Sequence, residues 1–210
     1  MSVIEAKTRA VLDLARLYAY DATHAHQVEC IAGTLFIALE SLHQLDKEER
    51  KLLEYAAVLH DIGYFVTDRG HHRHALQMIM LEPMPAFTRE EKTVIANIAR
   101  YHRKALPCID HTAYAILNPN ARQKVNKLAA LLRVADALDH SHHSRVQELS
   151  CEIKEDRVLL HIVADGDMTA EGISLKKRAE MFRQNYGRDI ELQVRVIKPI
   201  ETATPQGIVA

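Results

Sequence analysis

Residues 52–63 read LLEYAAVLHDIG. Five charged residues, Lys47 to Lys51, come just before it, so the segment reads as one helix with a charged start and a buried end. His60 and Asp61 stand side by side where that apolar run closes. An unpaired carboxylate in apolar surroundings is costly unless a cation or hydrogen-bond donors meet it. The pair therefore calls for partners from other helices.

Those helices can be read outward from it. Val3, Ala6, Ala10, Val11, Leu14 and Tyr18 recur at helical spacing. Asp21 or Thr23 caps a second helix over about 22–43, with Val28, Ile31, Leu35 and Leu39 on one face. His71–Leu81 is helical until Pro83 and Pro85. Thr88 with Glu91 forms a capping box for a further helix that Pro107 ends. Residues 110–120 read as a loop with a short helix, and 121–139 as a strong helix.

The texture then changes. LSCEIKED (149–156) and RVLLHIVADG (157–166) alternate apolar and polar around a turn. Residues 170–186 are helical and stop at Gly187, and IELQVRVI (190–197) is a third strand. The expected fold is mainly α: a helical bundle over 1–148, a small ββαβ unit over 149–198, and a tail over 199–210. That unit is expected either to mediate a homodimer or to cover a cleft.

Composition narrows the function classes. With 210 residues, 48% hydrophobic and 26% charged, the chain can bury a core without disulfides. A net charge of −1 argues against a broad grip on nucleic acid. No apolar run is long enough for a membrane span. The N-terminus lacks the apolar centre of a signal peptide, and three scattered cysteines fit a reducing cytoplasm. Thirteen histidines are the unusual count. Histidine is the commonest metal ligand.

His24, His60, Asp61 and Asp136 place two imidazoles and two carboxylates on three apolar helices, a donor set for a divalent ion. His24 is favoured over His26 by its place four residues before Val28, and Asp136 over Asp139, which is expected nearer the rim. His74 and His102 lie between these ligands in sequence; with Asp61 bridging they would hold a second ion, in the order H…HD…H…H…D. His72 is the alternative to His74. In a mononuclear site, His74 and His102 would instead contact phosphate or support the ligands. His142 is a candidate to line the cleft.

These residues resemble the HD superfamily of metal-dependent phosphohydrolases. More narrowly, HAHQVECIAGTLF (24–36), HHRHALQMI (71–79), RYHRKALP (100–107) and LAALLRVADALDHSHHSRVQ (128–147) resemble the C-terminal domain of the exopolyphosphatase/guanosine pentaphosphate phosphatase (Ppx/GppA) family. The resemblance implies hydrolysis of a small phosphorylated substrate, a nucleotide among the candidates, at one or two ions of Mn, Fe, Co, Ni or Zn. Asp61 would be the catalytic carboxylate, bridging the ions or orienting the attacking hydroxide. Arg103, Lys104 and Arg145 would hold phosphate. The actin-like half that carries exopolyphosphatase catalysis in that family has no counterpart in these residues, so a nucleotide-sensing regulatory module is the alternative. An oxygen-activating di-iron centre is a third reading. Tyr64 stands where many HD hydrolases carry lysine.

Overall fold

The computed structural model describes residues 2–197. Ten α-helices and one three-stranded sheet are found there. The chain is mainly α with a small C-terminal α+β unit, as the sequence implies. The predicted tail lies outside the described residues.

Helices α1 (Val3–Leu17), α2 (Ala22–Ala38), a short α3 (Glu40–His43) and α4 (Lys47–Leu59) form the first half of the bundle. Capping boxes start α1 at Ser2 with Glu5 and α4 at Asp46 with Glu49. Asp21 caps α2 by accepting the His24 N–H. The helix read as 22–43 breaks at Leu39, which caps α2 and precedes α3. From Leu53 to Leu59 every side chain of α4 is buried, so this helix runs through the centre of the core.

A 3₁₀ turn (Ile62–Phe65) then leads to α5 (His71–Leu81), α6 (Arg89–Arg100), a short α7 (Thr112–Ala115) and α8 (Pro119–Ala137). Thr88 and Glu91 make the expected box at α6. That helix stops at Arg100, well before Pro107. The His102 ring takes the carbonyl of Ala99 through Nδ1 at 2.6 Å, which caps the helix end from a side chain. Helix α8 starts two residues earlier than read, because Asn118 caps it and Pro119 occupies its first turn.

Strands β1 (Val146–Ile153), β2 (Arg157–Ala164) and β3 (Asp189–Val196) lie in the order β1-β2-β3, the first pair antiparallel and the second parallel. The parallel crossover is the segment read as one helix. It is two, α9 (Thr169–Arg178) and α10 (Glu180–Tyr186), broken at Ala179. Both pack on α8. The Tyr186 hydroxyl donates to the Lys127 carbonyl at 2.8 Å, a bond that ties the unit to the bundle.

Gly63 marks the tightest approach in the bundle. A Cβ there would lie 1.9 Å from the His71 carbonyl oxygen and 2.7 Å from the Ala75 nitrogen. Both are backbone atoms, so neither can swing aside. Gly63→Ala is expected to cost about 3 kcal/mol through forced separation of the turn from α5. Urea denaturation of the two proteins checks this; a loss under about 1 kcal/mol would mean the backbone yields freely.

Candidate metal centre

Four imidazoles converge on one carboxylate. His24 comes from the first turn of α2, His60 from the end of α4, His71 from the start of α5, and His102 from just past α6. Asp61 stands between them. Its Oδ2 is 3.3 Å from His60 Nε2 and 3.7 Å from His24 Nε2. Its Oδ1 is 3.3 Å from His71 Nε2 and 3.5 Å from His102 Nε2. Asp136, from the last turn of α8, brings Oδ1 to 3.6 Å from His24 Nε2 and 3.8 Å from His60 Nε2.

The other ring nitrogens are already engaged. His60 Nδ1 meets the Ala57 carbonyl at 2.7 Å, His71 Nδ1 that of Asp68 at 3.0 Å, and His102 Nδ1 that of Ala99. In each case the carbonyl lies three residues earlier. A carbonyl only accepts, so each Nδ1 carries a proton, and in the neutral ring Nε2 is left with a bare lone pair. His24 Nδ1 faces Asp139 Oδ2 at 2.8 Å instead. The Nε2 atoms pair off at 3.2 Å (His24 with His60) and 3.4 Å (His71 with His102). Asp61 Oδ1 is buried without a hydrogen bond. Once deprotonated, these Nε2 atoms together with the carboxylates form a donor set for cations.

Ligand atoms of His24, His60 and Asp136 lie within 4.8 Å of one another, as do those of His60, Asp61 and His102, and of His24, Asp61 and His142. The cluster divides into two lobes that share Asp61. One holds His24, His60 and Asp136, and the other His71 and His102. The residues present fit a divalent ion.

Charge in the two lobes differs. Burial pushes His24 down, but hydrogen bonds to Asp136 and Asp139 outweigh it and raise its pKa to about 10. Burial also pushes His60 down, and the Asp61 charge overcomes it, so His60 is raised as well. Burial holds His102 well below its ordinary value and also lowers His71. Asp61 and Asp136 stay ionised despite burial: His60 holds Asp61 down, and Arg178 holds Asp136 down.

The structure gathers His24, His60, Asp61, His102 and Asp136 but not His74, whose place is taken by His71. Gly70 in the left-handed conformation (φ 86°) sets His71 as the first residue of α5, with its ring anchored on Asp68. His74 lies one turn further along the helix, displaced about 4.5 Å along its axis, and is half-buried. His72, the alternative, is buried beside His71, and burial lowers it to about 4.

Arg103 is close to the site: its Nη1 is 3.4 Å from both the Tyr64 hydroxyl and His71 Nε2. Lys104 is exposed and lines a 540 Å³ cleft with Arg103, Lys177 and Arg178. Arg145 is directed elsewhere. Its carbonyl accepts the Asp165 N–H, an extension of the β1–β2 ladder, and its guanidinium packs over Gly166. His142 does line the site, stacked on His24 with centroids 3.6 Å apart.

Three features escape the sequence reading. Asp139 is 1% exposed, not at the rim, and its Oδ1 accepts the Ser144 N–H at 2.7 Å. Arg178 of α9 reaches Asp136 Oδ2 with Nη1, so the C-terminal unit supplies a charge to the cluster. Among the described residues, four of the five non-glycine positions with positive φ border the cluster or its clefts: Ala19, Lys104, His142 and Ser144. Such strain is held in place at functional sites. Asp139→Asn, which removes the charge behind His24, is expected to weaken metal binding about 10- to 100-fold. Equilibrium dialysis against Mn²⁺ measures it, and unchanged affinity would reduce Asp139 to a structural role.

The model of the family described as "Ppx/GppA phosphatase, domain III" matches residues 6–177. A guanosine-5'-triphosphate,3'-diphosphate pyrophosphatase of Photobacterium profundum is 26% identical over 161 residues, 76% of this chain and 31% of that protein. One of the same name from Vibrio parahaemolyticus is 25% identical over 205 residues, 97% of this chain and 37% of its own length. The chain thus spans about a third of the length of these curated relatives. The family match takes in most of both the bundle and the C-terminal unit, and the chain belongs to the Ppx/GppA phosphatase domain III family.

Proposed function

We propose that the chain is a metal-dependent phosphohydrolase acting on a small phosphate ester or anhydride at a dinuclear HD site. The observation that carries this reading is the convergence of four Nε2 atoms and the Asp136 carboxylate around Asp61. Divalent ions, when bound, supply a water of lowered pKa and neutralise charge on phosphoryl oxygens. Imidazole with carboxylate suits Mn, Fe, Co, Ni or Zn.

The chain's own groups divide the remaining work. His24, His60 and Asp136 would hold one ion, and His71 and His102 the other. Asp61, with one oxygen facing each lobe, would help to hold both ions and would orient the attacking water. Arg103 and Lys104 bind the phosphate oxygens that are not transferred. Arg178 neutralises the outer oxygen of Asp136 and leaves the inner one free to ligate. Names of the curated relatives support a nucleotide substrate.

The test is metal analysis of purified protein, followed by a phosphate-ester and anhydride panel with Mn²⁺. About two ions per chain and turnover of at least one substrate are expected; ions bound with no turnover across the panel would overturn the hydrolase reading. A second reading, a nucleotide-sensing module, is favoured by one observation. The chain spans only about a third of the relatives' length, so the catalytic activity in their names does not carry over to it by similarity alone. Tight nucleotide binding without turnover in the same panel would select it.

A further inference from the structure

The turn that follows the HD pair leaves Tyr64, Phe65 and Val66 exposed at 42%, 61% and 55%. Three consecutive large apolar side chains in the open, next to buried ligands, need an occupant more than a scattered exposed leucine does. Tyr64 and Phe65 line a 370 Å³ cleft together with Tyr18, Ala19, Tyr20, Asp21, Asp61 and His142. That volume lies at the small end of ligand pockets, about 300–1,000 Å³.

The Tyr18 and Tyr20 rings at the cleft are tethered through their hydroxyls. Tyr18 and Phe65 meet edge to face at 5.3 Å, and the Tyr18 hydroxyl is anchored on Glu82 Oε1 at 2.5 Å. Tyr20 is held by His26 Nε2 at 3.1 Å. Ala19 between them is left-handed (φ 47°), which turns the chain after α1 so that both tyrosines reach the same cleft.

Charge separates this cleft from the other one at the cluster. The permanently charged groups lining it are carboxylates, Asp21 and Asp61. The 540 Å³ cleft beside Asp136 is lined by five cations, Arg103, Lys104, Arg133, Lys177 and Arg178, against one carboxylate, Glu180. Away from the cluster itself, the first cleft offers a phosphate only the Asp21 carboxylate and no cation, whereas the second offers several cations. A flat uncharged ring fits the first, where stacking supplies affinity and a carboxylate can accept from ring N–H groups.

We infer that Tyr18, Tyr20 and Phe65 form a subsite for a nucleobase whose nucleotide has its phosphate at the Asp61 cluster and any further phosphates along Arg103, Lys104 and Lys177. The subsite rests on the phosphohydrolase reading only for where the phosphate lies; its recognition of the ring does not depend on turnover. Tyr20 and Phe65 then decide which phosphate esters bind.

The experiment uses the full chain loaded with Mn²⁺ and calorimetry with two probes that differ only in the ring: adenosine or guanosine 5′-monophosphate, and ribose 5-phosphate. Wild-type protein is expected to bind the better nucleotide about 10-fold or more tighter than ribose 5-phosphate. In Phe65→Ala and Tyr20→Ala that ratio is expected to fall below about 3, with metal content and melting temperature recorded to show that the site is intact. Phe65 is largely exposed, so its variant folds. Equal affinity of the probes in wild type, no binding of either, or a ratio unchanged in both variants would overturn the subsite. The two readings fail separately: a preserved ratio with no turnover of any phosphate removes only the hydrolase, whereas turnover with a ratio near one removes only the ring subsite.

Discussion

If the proposed dinuclear site is right, Asp61→Asn is expected to abolish the ion proposed at His71 and His102 and to lower phosphoester turnover on the order of 10³-fold, about 4 kcal/mol of transition-state stabilisation. The amide keeps the shape of the carboxylate but loses its charge, and its nitrogen cannot ligate. Asp61 is the one carboxylate facing both lobes, Oδ2 towards His24 and His60, Oδ1 towards His71 and His102. The first lobe keeps His24, His60 and Asp136, so one weakly bound ion is expected to remain. His71→Ala should lose one ion, and His74→Ala should keep both. Metal analysis of the three variants is the measurement. A His74 variant that loses an ion while the His71 variant does not would reverse the assignment made from geometry.

Stripping the metal is the second large effect. An ion present at about 1,000 times its dissociation constant adds about 4 kcal/mol. For a chain of this size each kilocalorie is worth about 2–4 °C, so chelation should lower the melting temperature by about 10 °C per ion. The effect depends on pH in a definite direction. His24 is raised to about 10 in the metal-free fold against an ordinary value of 6.5. Its proton therefore stabilises that fold fully below pH 6.5, and this contribution is lost as pH rises towards 10. An ion must displace that proton, so the first lobe gains affinity across the same window. His102 and His71 are lowered, so the second lobe carries no such competition. The melting increment from Mn²⁺ is expected to grow from about pH 6.5 to about pH 9 and to be dominated by the second lobe at the acid end. Differential scanning calorimetry with and without chelator checks it; an increment that shrinks as pH rises would contradict the charge assignment.

Much of this molecule is legible along the chain. Helical periodicity, the Thr88–Glu91 box, and the change to alternation after the bundle give the elements within a few residues. His60, Asp61 and Asp136 stand out for a related reason, each a polar group in a largely apolar run, whereas His24 is marked by its place four residues before Val28 and His102 by its place between the other candidate ligands. His71 is not, because three of the four residues in HHRH are histidines, and the choice depends on the left-handed Gly70 and a carbonyl at Asp68. Asp139 looks peripheral three residues after Asp136, yet the backbone folds back through left-handed His142 and Ser144 to bury it. Nearness in sequence groups Arg145 with the cluster, and sheet pairing with Asp165 overrides it. Arg178 reaches Asp136 across 42 positions by the packing of α9 on α8, a contact that no local pattern carries.

Three of the imidazoles hold the carbonyl three residues behind them, at Ala57, Asp68 and Ala99. Each ring has thus given up its rotation to its own backbone, within a span that forms as soon as its helix end forms. An arriving ion does not have to wait for mobile side chains to gather, and little side-chain entropy is left to lose on capture. Entry is then governed by how fast the ion sheds its water, and escape by how rarely several stiff rings let go together. The protein's affinity for metal should accordingly be expressed in residence time, with slow exchange against labelled ion even where the equilibrium constant is ordinary.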